Sequence, residues 1–166
     1  GAAALLGPGP LRADAFVLES VYPTIREAVE GRLGVWLGPF GWLNRWAASL
    51  LIRGVGAQIG VAETALRPID HIADAGAPVF VLSGTRDSYT PIAEARALFA
   101  QARGPKEFWA VRGAAHEDLY AFAGEAYEQR VGAFLATYLR AAPHRVAAAS
   151  EAMAPSCGGA TRPDPA

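Results

Sequence analysis

Cysteine occurs once in the 166 residues, at Cys157, and lysine once, at Lys106. A single cysteine can neither close an internal disulfide nor build a cysteine-based zinc site, so both of those classes are excluded. An excess of one charge is also missing: 15 Lys and Arg stand against 16 Asp and Glu, a net charge of −1. That balance leaves no basic footprint for nucleic acid and no polybasic signal for an anionic membrane. No charge-free apolar run reaches the roughly 18 residues of a membrane span. The longest candidate, 46–62, is interrupted by Arg53 and Gln58. The apolar start at 1–6 has no basic stretch before it and does not read as a secretory signal, so a cytoplasmic location is expected. Repeats of solenoid period are absent.

What is present suits one domain: 52% hydrophobic residues over this length can fill a buried core. Short continuous apolar runs, Ala-Phe-Val-Leu at 15–18 and Pro-Val-Phe-Val-Leu at 78–82, read as strands buried on both faces. Glu-Phe-Trp-Ala-Val at 107–111 reads as a third strand. Between them lie helical patterns. Thr24 with Glu27 three residues on is a capping box opening a helix over 24–33. Pro91 begins one over 91–102, and a longer one spans 126–139, after a helical turn at 118–122. Strands alternating with helices predict a parallel α/β sheet.

The stretch from Val35 to Val61 has another texture. Trp36, Phe40, Trp42 and Trp46 cluster there among glycines, and helices are expected at 46–52 and, around Pro68, at 63–73. It reads as an excursion from the sheet. The opening Gly-Ala-Ala-Ala-Leu-Leu reads as the end of a closely packed helix, stopped by Gly-Pro-Gly-Pro at 7–10. Residues 141–166 form an Ala/Pro-rich tail with no periodicity, expected to be disordered.

In an open parallel sheet, reacting groups gather beyond the carboxyl ends of the strands. Glu19 and Ser20 follow the first strand, Gly84-Thr85-Arg86-Asp87 the second, and Gly113-Ala114-Ala115-His116 the third. Asp87 and His116 thus fall on adjacent loops, as a carboxylate orienting an imidazole requires. A plainer reading stands beside it: Asp87 closing an Asx turn, and His116 leading into a helix whose start Glu117 and Asp118 complement. His71 and His144 follow no buried strand and read as structural or solvated.

The stretch Pro-Val-Phe-Val-Leu-Ser-Gly-Thr-Arg-Asp-Ser-Tyr-Thr-Pro (78–91), followed by Phe-Trp-Ala-Val-Arg-Gly-Ala-Ala-His (108–116), resembles the last part of an α/β-hydrolase. In that family a strand ending in Gly-x-x-Asp-x-x-x-Pro carries the acid of the triad, and the next strand is followed by its histidine. The resemblance covers about residues 1–140. It implies a partial α/β-hydrolase fold: family strands six to eight, flanking helices, and a helical cap insertion at about 21–74. The family's order of nucleophile, acid and histidine is kept by Asp87 and His116. Glu19 is the alternative acid, since some members carry the acid after strand six. The Gly-x-Ser-x-Gly elbow is missing, because no serine here has glycine at both −2 and +2. Residues 1–6 resemble the helix that follows such an elbow, so the chain is expected to begin just after the nucleophile.

The implied function is that of a fragment of a serine hydrolase acting on an ester, thioester or similar acyl substrate, inactive as an isolated chain. Trp36, Phe40, Trp42 and Tyr89 would contact the apolar part of the substrate. No metal or organic cofactor is implied. Without family strand five, the first strand would present an open edge through which chains can associate. Three other readings remain: a hydrolase with an aspartate nucleophile, a non-catalytic binding protein of the same fold, and a nucleotide binder. The last has no Gly-rich phosphate loop to support it.

Overall fold

The computed structural model describes residues 2–6 and 13–141. In chain order the elements are α1 (Ala2–Leu5), β1 (Phe16–Glu19), α2 (Ile25–Leu37), α3 (Asn44–Ile59), α4 (Pro68–His71), β2 (Val79–Gly84), α5 (Ile92–Gln101), β3 (Lys106–Val111), α6 (Leu119–Ala123) and α7 (Glu125–Ala141). Short 3-10 turns at Gly38–Leu43, Glu63–Ala65 and Ile72–Asp74 join the helices between β1 and β2. The stop expected at 7–10 and the tail beyond Ala141 lie outside the described residues.

The three strands form one parallel sheet in the order β1-β2-β3. β2 is buried along its whole length, as the middle strand of a sheet covered on both faces must be. Its two-residue period sends alternate side chains into two separate cores. Val79 and Val81 pack with Phe16, Leu18, Ile72, Ala95 and Leu98, beneath α4 and α5, and Leu5 of α1 joins them. Phe80 and Leu82 pack with Val111, Leu119, Val131 and Phe134, beneath α6 and α7. The Phe80 and Phe134 rings meet with centroids 5.2 Å apart, a tilted aromatic contact that adds to the area they bury.

β1 departs from expectation. It is not buried on both faces: Phe16 and Leu18 are sealed while Val17 and Glu19 are half-open. Among the described residues it pairs only with β2, so the second core covers Val17 from one side alone.

Local signals explain most helix boundaries. Thr24 caps α2, its hydroxyl oxygen accepting the Glu27 N–H at 3.2 Å. The reciprocal half of the capping box takes another form. The Glu27 carboxylate accepts the Thr24 hydroxyl itself at 2.8 Å, and not the Thr24 backbone N–H. α3 runs well beyond the expected 46–52, passing through Gly54 and Gly56. A Cβ on Gly56 would come within 2.9 Å of the Val61 carbonyl, where the chain turns back on the helix. That glycine permits a close approach and does not end the helix.

The single helix expected at 63–73 is instead a 3-10 turn, α4 and a second 3-10 turn. Pro68 is the cause. It disfavours helical backbone in the residue before it, and Arg67 accordingly sits at φ −128°, ψ 80°. Pro91 likewise stands just outside α5, at φ −52° and ψ 143°, and not in its first turn.

Two polar clusters fasten neighbouring elements together. Arg26 of α2 donates to both oxygens of Glu63, at 2.7 and 2.9 Å, and to Ser49 of α3 at 3.1 Å. The side-chain hydrogen bonds to Glu63 hold its guanidinium above the ordinary arginine pKa. At the other end, the lone lysine closes the C-terminus of α5. Its Nζ donates to the carbonyls of Phe99, Ala100 and Ala102 at 2.9, 3.2 and 2.8 Å. It also lies 4.7 Å from the centroid of the Phe99 ring. A cation here meets the negative end of the helix dipole. Among the described residues, no helix is long and apolar enough to cross a membrane.

Candidate active site

The pairing of Gly84 with Val111 brings β2 and β3 to an end at the same level. The loops that follow are laced together by backbone. The N–H of Thr85 donates to the Val111 carbonyl at 3.0 Å, and that of Arg86 to the Ala114 carbonyl at 2.8 Å. The Gly113 N–H reaches the Thr85 hydroxyl at 2.9 Å. Contact is so close that a Cβ on Gly84 would fall 2.4 Å from the Ala114 oxygen and 2.7 Å from that of Ala115. Only glycine fits there.

This lacing sets Asp87 beside His116. The His116 Nδ1 lies 2.9 Å from Asp87 Oδ2. The other carboxylate oxygen, Oδ1, accepts the backbone N–H groups of Tyr89 and Thr90 at 2.9 and 2.8 Å. The two sequence readings of Asp87 therefore hold together: one oxygen makes the Asx turn while the other faces the imidazole. An ionised carboxylate only accepts, so in this contact Nδ1 is the donor, which in the neutral imidazole leaves Nε2 as the acceptor. The Asp87 side chain is 0% exposed and that of His116 is 37% exposed. Solvent or a substrate can reach the imidazole but not the acid.

His116 opens onto a depression of about 290 Å³ that it lines with Arg32, Trp36 and Tyr89. The Tyr89 ring stands edge-on to the imidazole at 5.3 Å, and the Arg32 guanidinium lies 5.9 Å from the Tyr89 centroid. Gly31 makes this approach of α2 feasible, since a Cβ there would lie 3.2 Å from the Tyr89 carbonyl. On the far side, Glu117 accepts the Ala115 N–H at 2.8 Å, and Asp118 caps α6 through Tyr120 and Ala121.

Of the residues expected around a substrate, Trp36 and Tyr89 reach this depression. Trp36 does so while 83% exposed. Phe40 and Trp42, 60% and 76% exposed, lie in the 3-10 turn after α2 and are not among its lining residues. Glu19 is not brought to His116. Its carboxylate accepts the Tyr127 hydroxyl of α7, and burial, followed by Glu19, pushes that phenol up to about 12. His71 is exposed on α4, and His144 lies outside the described residues.

Three polar residues were not anticipated. Arg32 reaches the site from α2, lining the depression beside Tyr89 and His116. Thr90 is buried and sends its hydroxyl to the Ser20 carbonyl at 3.3 Å. Glu94, in the first turn of α5, has one carboxylate oxygen buried without a partner. Burial, then the charges of Glu27 and Asp87, push its carboxyl up to about 7. Its only sequence signal is an acidic residue in the first turn of a helix, an ordinary place for one. Ser20 adopts φ 44°, an uncommon left-handed conformation for a serine, and its hydroxyl is buried without a partner. Among the described residues no serine or threonine hydroxyl is hydrogen-bonded to His116.

No family model matches the chain, and no curated protein matches its sequence. In structure it is similar to the esterase Pf2001 of Pyrococcus furiosus, seen in two crystal forms. With the first, 82% of this chain superposes on 48% of the esterase at 18% identity and a TM-score of 0.54. With the second, 82% superposes on 47% at 20% identity and a TM-score of 0.52. The chain spans about half the length of that protein. Three parallel strands in one sheet with helices on both faces give it an α/β fold similar to that of an esterase.

Proposed function

We propose that this chain supplies the acid and the histidine of a serine hydrolase that cleaves an ester, thioester or similar acyl bond. The observation that carries the reading is the contact between His116 Nδ1 and the sealed Asp87 carboxylate. With Nδ1 protonated and held, Nε2 takes the proton of an attacking hydroxyl and later returns it to the leaving group. Asp87 keeps the tautomer and stabilises the imidazolium formed in between. The nucleophile and the oxyanion donors come from a segment outside these 166 residues. Two facts support this: no serine here sits on a Gly-x-Ser-x-Gly elbow, and the chain spans about half of the esterase it is similar to. The helices between β1 and β2 act as a cap over the reacting carbonyl, with Trp36 and Tyr89 beside it.

The test is hydrolysis of p-nitrophenyl butyrate by the chain together with the segment encoded ahead of it. Asp87→Asn and His116→Ala are expected to lower kcat about 10³- to 10⁴-fold, leaving KM within a few-fold. An unchanged kcat in His116→Ala would refute the reading. The 166 residues alone are expected to resist a fluorophosphonate probe. Stoichiometric labelling would move the nucleophile to a serine within them, with Ser20 and Ser83 the first to examine.

A further inference from the structure

A second cavity, of about 380 Å³, lies between α2 and α3. Ile25, Val29, Leu51, Val55, Val61 and Leu66 line it, and its one charged wall residue, Glu63, already has both oxygens on Arg26. That size is within the range of small-ligand sites. It is a greasy slot with no free polar group to hold a head group. Leu51 and Val55 are 50% and 52% exposed on its rim, so an apolar occupant would remove them from water.

Its position relative to His116 gives it meaning. Ile25 and Val29 line this slot, while Arg32 and Trp36 line the depression at His116. On α2 these four residues are spaced by four, three and four, and so form a single stripe along the helix. The two hollows therefore follow one another along the same side of α2. From Ile25 to Trp36 the helix rises about 16 Å. An extended chain advances about 1.2 Å per bond, so this length accommodates about a dozen carbons.

We infer that the slot between α2 and α3 holds the tail of a medium-to-long acyl chain whose carbonyl end lies at His116. The proposal rests on the function above for the reacting end, and on the slot alone for binding. Arg32, at the mouth, stands next to the oxygen-bearing end of such a chain. Chains of about four carbons do not reach Ile25, whereas chains of ten to twelve fill the slot.

The test is direct binding to the 166-residue chain, measured by titration calorimetry with sodium butyrate, octanoate and dodecanoate below their micellar concentrations. Each methylene taken from water tightens binding about fourfold. Dodecanoate is therefore expected to bind about two-hundredfold more tightly than octanoate, and butyrate not measurably. Val55→Trp fills the slot from its solvent-facing rim and is expected to weaken dodecanoate at least tenfold. Leu51→Gln, at another half-open position, is expected to weaken it several-fold, and a thermal melt verifies that each variant folds. Trp42→Ala, outside both hollows, is expected to leave binding unchanged. Affinity independent of chain length, or undiminished in a folded Val55→Trp, would overturn the inference. Length-dependent binding with no hydrolysis of either p-nitrophenyl butyrate or p-nitrophenyl dodecanoate in the earlier assay would refute the hydrolase and leave the slot. Activity confined to short esters would do the reverse.

Discussion

Replacing Gly84 by alanine is the sharpest way to ask what holds the candidate site together. The added carbon would sit 2.4 Å from the Ala114 oxygen, 2.7 Å from the Ala115 oxygen and 2.8 Å from the Ala114 carbonyl carbon. All three are backbone atoms, so no side chain can swing away, and the 113–116 loop must move by most of an ångström. That movement stretches the Arg86-to-Ala114 hydrogen bond, now 2.8 Å, and the Thr85-to-Val111 bond, now 3.0 Å. Overpacking a tight site costs about 1–3 kcal/mol, and each weakened backbone bond adds about 1 kcal/mol. A total of about 3–5 kcal/mol corresponds, in a chain of this size, to a Tm lower by about 10–15 °C. The loop that moves carries His116, so the 2.9 Å contact to Asp87 should open as well. Differential scanning calorimetry reads the first effect. The Nδ1–H proton resonance expected of His116 in contact with Asp87 reads the second, and is expected to vanish. Gly132→Ala is the matched control: a Cβ there meets nothing within 4 Å, and helix propensity should raise stability by about 0.5–1 kcal/mol. If Gly84→Ala melts within about 2 °C of the parent and keeps the imidazole proton, the two loops are not held by close backbone contact and the reasoning fails.

Other expectations follow from single groups. Glu94 has its carboxyl raised from 4.5 to about 7, so the folded state binds the proton more tightly than the unfolded one. Its contribution is fully present below pH 4.5 and is lost as pH rises through about 7. One sealed oxygen and partial solvent access make the loss about 1–2 kcal/mol, less than the full shift implies. Glu94→Gln should abolish that slope and exceed the parent in stability at pH 8; parallel pH–stability curves would contradict it. Asp118→Ala removes the cap that accepts the Tyr120 and Ala121 N–H groups at 2.9 and 3.0 Å. Urea denaturation should show a loss of about 1 kcal/mol, and no change would mean that solvent satisfies those donors equally well.

The sheet and the Asp87–His116 juxtaposition were legible because their causes are local. Each strand is a short apolar run, and β2 and β3 stop near glycines. A parallel sheet then brings the following loops to one edge. The choice between Glu19 and Asp87 was not local. Both follow strands, and what separates them geometrically is Tyr127 on α7, far along the chain, which engages the Glu19 carboxylate. The extent of α3 was hidden for a related reason. Gly56 looks like a break until the returning chain at Val61 is seen to need the space. The tryptophans misled differently. Composition says that Trp36, Phe40 and Trp42 form an apolar cluster, but the turn at Gly38–Leu43 decides which of them faces the imidazole, and only Trp36 lines that depression. Pro68, in contrast, is visible in the sequence, and the non-helical backbone of Arg67 follows from it.

The clasp of Lys106 on the end of α5 has a practical side. These 166 residues offer a single ε-amine, and that amine is occupied by three carbonyls. A reagent that acylates amines is slowed until the junction between α5 and β3 comes apart, because the nitrogen must first give up hydrogen bonds to these carbonyls. The rate of modification at this one position thus counts openings of that junction. Once acylated, the nitrogen loses its charge and the helix end its cap, so the event is recorded permanently. A chemistry chosen only to attach a dye would here be a clock for local unfolding, readable from the mass of the peptide that carries Lys106.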